Sequence, residues 1–168
     1  MGALDGQARR LEAAVAAILA LKPRIEAGAP WPLAELYGPE PEASWGPPEL
    51  LAHLEEYLPY WLGEIERVLA GSPAAPVPFG RVATDPIRIG VIGRDRELPL
   101  RELFSRIEAG APRVASRLRE LSESEANRVG LHPARGEITV RDMLEPFLVG
   151  HSEGHVSQLE EILAAAGR

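Results

Sequence analysis

The chain has 168 residues, a net charge of −7 and no cysteine. Its length suits a single domain with a hydrophobic core, and 45% hydrophobic and 26% charged residues are typical of globular proteins. Negative charge without a basic run argues against nucleic acid or an anionic membrane as a partner. The lack of cysteine excludes disulfides, thiolate metal ligands and a cysteine nucleophile, so any thiol in a reaction must arrive as a substrate.

The N-terminal segment predicts a helix rather than an export signal. Arg9 and Arg10 precede a short apolar run, but Glu12 interrupts its start and charged residues follow it. Apolar residues recur at helical spacing from about Leu4 to Ala27, and Gly28 is a suitable stop. No run reaches the roughly 20 apolar residues that span a bilayer. We therefore expect a cytoplasmic protein without membrane contact.

A second helix is predicted after a proline-rich connector. Gly46 is its candidate N-cap, prolines occupy the first two helical positions, and Glu49 places a negative charge in the first turn. The helix is expected to end at Gly71, and His53 borders its apolar stripe. That stripe consists of Leu50, Leu54, Tyr57, Trp61, Ile65 and Val68.

The stretch from Ser72 to Pro99 has no helical pattern. Val82 and the run from Ile87 to Ile92 are compatible with short strand-like pieces, although their alternation is poor. A second loop is predicted from Asn127 to Gly136, and it contains His132. Neither segment predicts a sheet.

Two further helices are predicted in the second half of the chain. One runs from about Leu100 to Leu121, and the other starts at Thr139, whose hydroxyl is a candidate cap, and should bend at Pro146. Its apolar face includes His151 and His155. Four such helices predict an all-α four-helix bundle, a single domain covering residues 1–168, with a long crossover between helices 2 and 3.

Three of the four histidines can reach one point. His151 and His155 lie one helical turn apart on one face, and His53 lies on a second helix. Three neutral imidazoles suit a divalent metal with an open coordination position. Alternatively they are packed core residues, but each buried unsatisfied imidazole then costs about 1–3 kcal/mol. His132, in a Gly/Pro loop, is expected to be uninvolved.

Four residues near these histidines are candidates for supporting roles. Gln158, one turn beyond His155, is placed to orient a ligand or a bound water. Tyr57 and Trp61 follow His53 on its helix and either line a pocket or fill the core. Glu56 is a possible fourth ligand or base, although its position also fits a solvated face.

Three motifs together carry a family resemblance. They are Trp45 with a Pro and a Glu ahead of His53, the segment G-E-I-T-V-R-D-M-L from Gly136 to Leu144, and the run H-S-E-G-H-V-S-Q-L from His151. The pattern covers nearly the whole chain and resembles the DinB-like superfamily of metal-binding four-helix bundles. One position differs, since Gly154 stands where many members of that superfamily have another histidine.

The resemblance implies an up-down-down-up bundle, often a homodimer, with a divalent ion held by His53, His151 and His155. Zinc or nickel is the expected ion. The superfamily includes bacillithiol and mycothiol S-transferases, which implies a reaction between a small-molecule thiol and an electrophilic substrate. The lack of a conspicuous general base beside the ligands favours the same class. A metal-dependent hydrolase and a non-catalytic metal-binding or dimerisation module remain open, and no catalytic residue is assigned.

Overall fold

The computed structural model describes residues 1–167, and helices account for 66% of the protein. The α-helices are α1 (Asp5–Ala20), α2 (Lys22–Gly28), α3 (Pro47–Ala70), α4 (Pro86–Asp95), α5 (Leu100–Glu120), α6 (Glu123–Ala126), α7 (Val140–Phe147) and α8 (Val149–Ala165). A one-turn 3-10 helix, Pro41–Ser44, precedes α3. The strands are β1 (Val77–Pro78), β2 (Val129–His132) and β3 (Gly136–Thr139).

The long helices enclose the hydrophobic core. Helix α5 packs against both α1 and α3, and α8 packs against α1. Their apolar stripes, spaced three and four residues apart, meet in one buried cluster that includes Leu11, Ile18, Leu54, Ile65, Leu103, Ile107 and Leu159. The expectation of a mainly helical protein is confirmed. No helix within residues 1–167 combines the length and the apolar character that crossing a bilayer requires.

Two of the predicted continuous helices are divided. The first ends at Ala20, and α2 begins after Leu21 with a proline, Pro23, in its first turn. The last breaks at Leu148, whose φ and ψ of −133° and −67° separate α7 from α8, two residues after Pro146. Proline lacks the N–H that an uninterrupted helix requires and crowds the preceding turn, which explains both breaks.

The expectation of strand-like structure between Ile87 and Ile92 was wrong, because this run lies in α4. The Asp85 side chain accepts hydrogen bonds from the backbone N–H groups of Ile87 and Arg88, both at 3.0 Å, and a proline occupies the first helical position. Ile89 and Ile92 are buried. An N-cap with tertiary packing therefore overrides the β-branched composition.

The expectation that the chain has no sheet was also wrong. Strands β1, β2 and β3 lie in that order, with β1 parallel and β3 antiparallel to β2. The predicted loop from Asn127 to Gly136 is thus mostly a hairpin, and His132 is the last residue of β2. Thr139 ends β3 and caps α7, since its Oγ1 accepts a hydrogen bond from the Asp142 N–H at 3.0 Å.

The proline-rich connector is tied to α3 through Glu49. This fully buried carboxylate accepts hydrogen bonds from the N–H groups of Gly46 at 3.1 Å and Ala34 at 2.9 Å, and from Arg96 Nη1 at 3.1 Å. These bonds cap the helix and hold both ends of the connector. The 3-10 helix between those ends is thereby placed beside α3.

Replacing Glu49 with alanine should lower the free energy of unfolding by about 2–4 kcal/mol. The change removes a helix cap and leaves the Arg96 charge without its buried partner. Urea denaturation would measure the loss, with Glu160→Ala, an exposed position on α8, as the control. An equal effect of the two substitutions would contradict this role for Glu49.

Candidate metal centre

Three imidazoles converge between α3 and the first turns of α8. His53 Nε2 lies 2.9 Å from His151 Nε2, which lies 3.1 Å from His155 Nε2. In a tetrahedral zinc site, bond lengths near 2.0–2.1 Å place ligand nitrogens about 3.3 Å apart. Separations of this size need only a few tenths of an ångström of expansion. The convergence that helical spacing predicted for these side chains is therefore present in the fold.

Glu42, from the 3-10 helix, faces all three histidines. Its Oε1 lies 3.5 Å from His53 Nε2, and its Oε2 lies 3.5 Å from His151 Nε2 and 3.6 Å from His155 Nε2. One ligand atom from each of the four residues falls within 4.8 Å of all the others, so the group could hold a metal ion. We refer to these four residues as the His/Glu cluster.

Sequence reasoning missed Glu42 and considered Glu56 instead. Glu56 is neither a member of the His/Glu cluster nor on a solvated face: it is mostly buried, and its carboxylate pairs with Arg81 at 2.6 Å. The connector that carries Glu42 has no periodicity, so nothing in the sequence indicates the direction of its side chains. The expectation that no general base lies beside the three histidines was wrong for the same reason, because Glu42 lies there.

The three imidazoles are uncharged at neutral pH. Burial lowers the pKa of His53 well below its usual value, with further lowering by Arg88 and the other two histidines. Burial, followed by repulsion from His155 and Arg88, lowers the pKa of His151 to about 3. Burial also lowers the pKa of His155, although Glu42 opposes the shift. Nitrogen lone pairs are therefore available to a metal without the loss of a proton.

Gln158 fixes the tautomer of His155. Its Nε2 donates a hydrogen bond to the backbone carbonyl of Glu42 at 2.8 Å, which turns its Oε1 towards His155 Nδ1 at 3.1 Å. The imidazole must then donate from Nδ1, and the lone pair at Nε2 points into the His/Glu cluster. The same side chain thus joins α8 to the 3-10 helix.

A buried chain of hydroxyl groups links α3 and α8, the two helices that carry the three histidines. Ser152 Oγ donates to the Leu148 carbonyl at 2.6 Å, so the Tyr57 hydroxyl donates in turn to Ser152 Oγ. Tyr57 follows His53 by one turn, and Ser152 adjoins His151. Tyr57 therefore lies fully buried beneath the imidazoles, where it supports them.

Trp61 forms an aromatic wall with Phe147 and His132. The Trp61 and Phe147 rings stack with centroids 4.5 Å apart, and His132 stacks on Phe147 at 4.6 Å. His132 is the last residue of β2 rather than part of a loop, and it is buried. Its Nδ1 accepts hydrogen bonds from the N–H groups of Ala134 and Arg135. It lies outside the His/Glu cluster, as expected.

Two cavities reach the cluster from different sides. The first, of about 180 Å³, is lined by residues that include Glu42, His53, His151, Trp61, Arg81, Arg88 and Phe147. The second, a groove of about 460 Å³, is lined by Glu42, Glu145, Pro146, Gly150, His151, Gly154, His155 and Gln158. We call these the arginine cavity and the glycine groove. Because Glu42 and His151 border both, the cluster lies between them.

Arg88 adds a positive charge beside the ligands. Its guanidinium is hydrogen-bonded to Glu42 and to the Ala83 carbonyl, and Nη2 lies 3.4 Å from His53 Nε2. This charge opposes a nearby cation, and Glu42 offsets it. Sequence reasoning missed Arg88 because the segment from Ile87 to Ile92 had no predicted helical face.

Metal-free protein should lose stability as the pH falls below about 6.5, where the unfolded chain binds protons that the three buried imidazoles do not. Each of them contributes a slope of up to about 1.4 kcal/mol per pH unit, which for His151 continues down to its folded pKa of about 3. Urea denaturation at several pH values, with chelator present, would measure the slope. His151→Gln should reduce the slope by the contribution of one proton, up to about 1.4 kcal/mol per pH unit. Identical slopes in the variant and the unaltered protein would contradict a buried, neutral His151.

Replacing Gln158 with alanine should weaken zinc binding by about 10- to 100-fold, because the His155 tautomer is no longer fixed. Competition with a chromophoric chelator would measure the affinity. Ser157→Ala, an exposed neighbour on the same helix, is the control and should bind zinc as the unaltered protein does. Equal zinc affinities of the two variants would show that Gln158 has no role in zinc binding.

Comparison with known proteins supports the resemblance seen in the motifs. The family model of the DinB superfamily matches residues 3–159, a range that contains the four cluster residues and Gln158. Neither a curated protein nor a solved structure matches the chain. Because the family match spans nearly the whole chain, the protein belongs to the DinB superfamily.

Proposed function

We propose that this protein is a divalent-metal-dependent transferase in which a small-molecule thiol attacks an electrophile. His53, His151 and His155 would hold the ion, and Glu42 would occupy a fourth position. Imidazole with one carboxylate suits zinc or nickel. Membership of the DinB superfamily and the spacing of the donor atoms support the metal.

The position of the His/Glu cluster between two cavities carries the proposal. A reaction of two substrates needs each to reach the metal without displacing the other. The arginine cavity and the glycine groove both border His151 and Glu42, so a thiol and an electrophile can each approach the cluster through a cavity of its own. A structural site, in which the protein supplies all four ligands, would need no cavity beside the metal.

A bound divalent ion would lower the pKa of a thiol and stabilise the thiolate. If a thiol replaced Glu42 at the ion, the Oε2 of this one-quarter exposed side chain could take the thiol proton. The sulfur forms a bond to the electrophilic carbon, and the leaving group departs with the bonding electrons. Trp61 and Phe147 shield the reacting atoms from water on one side.

A metal-dependent hydrolase is the second candidate, and Glu42 favours it. A carboxylate 3.5 Å from two ligand nitrogens can equally take a proton from water. Two separate cavities are not needed for that reaction, since water requires no subsite of its own. The transferase therefore accounts for more of the site.

We also propose the bundle topology and assembly that the resemblance implies. Helices α1, α3 and α5 with the α7–α8 pair would be the four helices of an up-down-down-up bundle, which the packing of α5 on α1 and α3 supports. The homodimer remains a proposal that light scattering of the purified protein would test.

Zinc-loaded protein should conjugate 1-chloro-2,4-dinitrobenzene with at least one thiol among bacillithiol, mycothiol, glutathione and cysteine. The rate should fall to that of metal-free protein in His151→Ala, because the variant loses a ligand. Absorbance of the conjugate would measure turnover, and nickel-loaded protein would be compared in parallel. Ser157→Ala is the control and should keep the full rate.

The assay is paired with one for ester and amide hydrolysis in the absence of thiol. Metal-dependent hydrolysis without conjugation by any thiol would favour the hydrolase. If zinc binds tightly and raises the thermal stability but neither reaction exceeds the metal-free rate, the site is structural and the transferase is wrong.

A further inference from the structure

We propose that the arginine cavity binds a small carboxylate with a flat apolar body, which pairs with Arg88 in exchange for the Glu42 side chain. The inference deepens the proposed function and rests on it for one point, that the bound carboxylate belongs to the electrophile. A carboxylate-bearing aromatic electrophile with a leaving group is thereby named as the substrate class.

Arg88 is the anion-binding group of this cavity. Its guanidinium is only 4% exposed, and among the described residues its carboxylate partner is Glu42. A buried guanidinium requires a negative partner, and its planar fork fits a carboxylate through two parallel hydrogen bonds. Burial and the nearby Arg81 lower the pKa of Arg88, and Glu42 opposes the shift.

Glu42 is an internal occupant of the position that an external carboxylate would take. It lies on a one-turn helix, is one-quarter exposed and borders the glycine groove as well as the arginine cavity. If its side chain turns towards the groove, Arg88 loses its partner inside the protein. A ligand carboxylate that enters the cavity restores that partner, so the exchange leaves the buried charge balanced.

The remaining walls favour a flat apolar body. Trp61 and Phe147 present stacked rings to the cavity. The volume of about 180 Å³ exceeds the roughly 150 Å³ apolar cavity that accommodates benzene in a well-studied case. Arg81, which pairs with Glu56 and lies 3.6 Å from the centre of the Tyr60 ring, places a second guanidinium at the cavity wall.

The charge on the other side of the cluster directs an anion to the arginine cavity. The glycine groove is bordered by the carboxylates of Glu42 and Glu145, and among its described lining residues none is lysine or arginine. Glu145 pairs with Arg10, which lies outside the lining, so a carboxylate ligand in the groove would meet two carboxylates that already have partners and no lining cation. The sulfhydryl group is neutral until it loses its proton, so a thiol whose remaining groups are uncharged is the substrate suited to the groove.

Binding of benzoate to metal-free protein tests the proposal without any reaction. Glu42→Ala frees Arg88, and it should bind benzoate about 10- to 100-fold more tightly than the unaltered protein, as expected for a charge-assisted hydrogen-bonded pair. The double variant Glu42→Ala/Arg88→Gln should lose this gain. Isothermal titration calorimetry would measure both, with benzamide as a neutral ligand of the same shape that should bind weakly throughout.

Arg94→Gln, made in the Glu42→Ala background, is the matched control. Arg94 lies on α4 like Arg88, but its side chain is 72% exposed and pairs with Asp95. The Arg94→Gln substitution should leave the benzoate affinity of the Glu42→Ala variant unchanged. Should Arg88→Gln fail to fold, Arg88→Lys keeps the charge without the planar fork and should bind benzoate about tenfold more weakly than the arginine parent.

Two results would overturn the proposal. One is equal benzoate affinity in Glu42→Ala and in the unaltered protein, and the other is full affinity after Arg88 has been replaced by glutamine or lysine. Neither metal nor thiol is present, so a failure of thiol conjugation leaves this outcome untouched. Conversely, conjugation by zinc-loaded protein that binds no benzoate in any variant would retain the transferase and reject the carboxylate site.

Discussion

Three uncharged imidazoles are packed nitrogen to nitrogen inside a helical core, and the rest of the site depends on keeping them uncharged. His53 and His155 are almost completely buried, and protonation of either would place a positive charge beside Arg88 and two other imidazoles. Glu42 is the negative group in this arrangement. It offsets Arg88, adds a carboxylate to the three imidazoles, and explains how a guanidinium and the His/Glu cluster can lie within 4 Å of each other.

The helical half of the site was predictable because its geometry is periodic. The spacing of His151, His155 and Gln158 places their side chains along one face of a helix whatever the tertiary structure. His53 required a further step, the packing of two apolar stripes against each other, and the apolar residues around it indicated that face. These positions follow from local structure with one simple assumption about packing.

The other half follows from tertiary structure, and for that reason the sequence did not indicate it. Glu42 lies in a proline-rich connector whose path depends on three hydrogen bonds to the buried Glu49 carboxylate, two donated by the ends of the connector and one by Arg96. Arg88 lies on α4, which begins after the Asp85 cap. The β-branched residues of this segment favour a strand, so the sequence did not indicate the helix. Strand β1 has two residues and exists only through its pairing with β2, so no alternation could predict it.

The two glycines of α8 both border the glycine groove, but they are there for different reasons. A Cβ at Gly150 would lie 2.7 Å from the Glu145 carbonyl, so glycine there is required by the close packing across the α7–α8 break. A Cβ at Gly154 would meet nothing within 4 Å, so packing places no such demand. Glycine in a helix interior nevertheless costs up to about 1 kcal/mol relative to alanine. What Gly154 provides in return is empty volume beside His151 and His155, which a histidine at that position would fill.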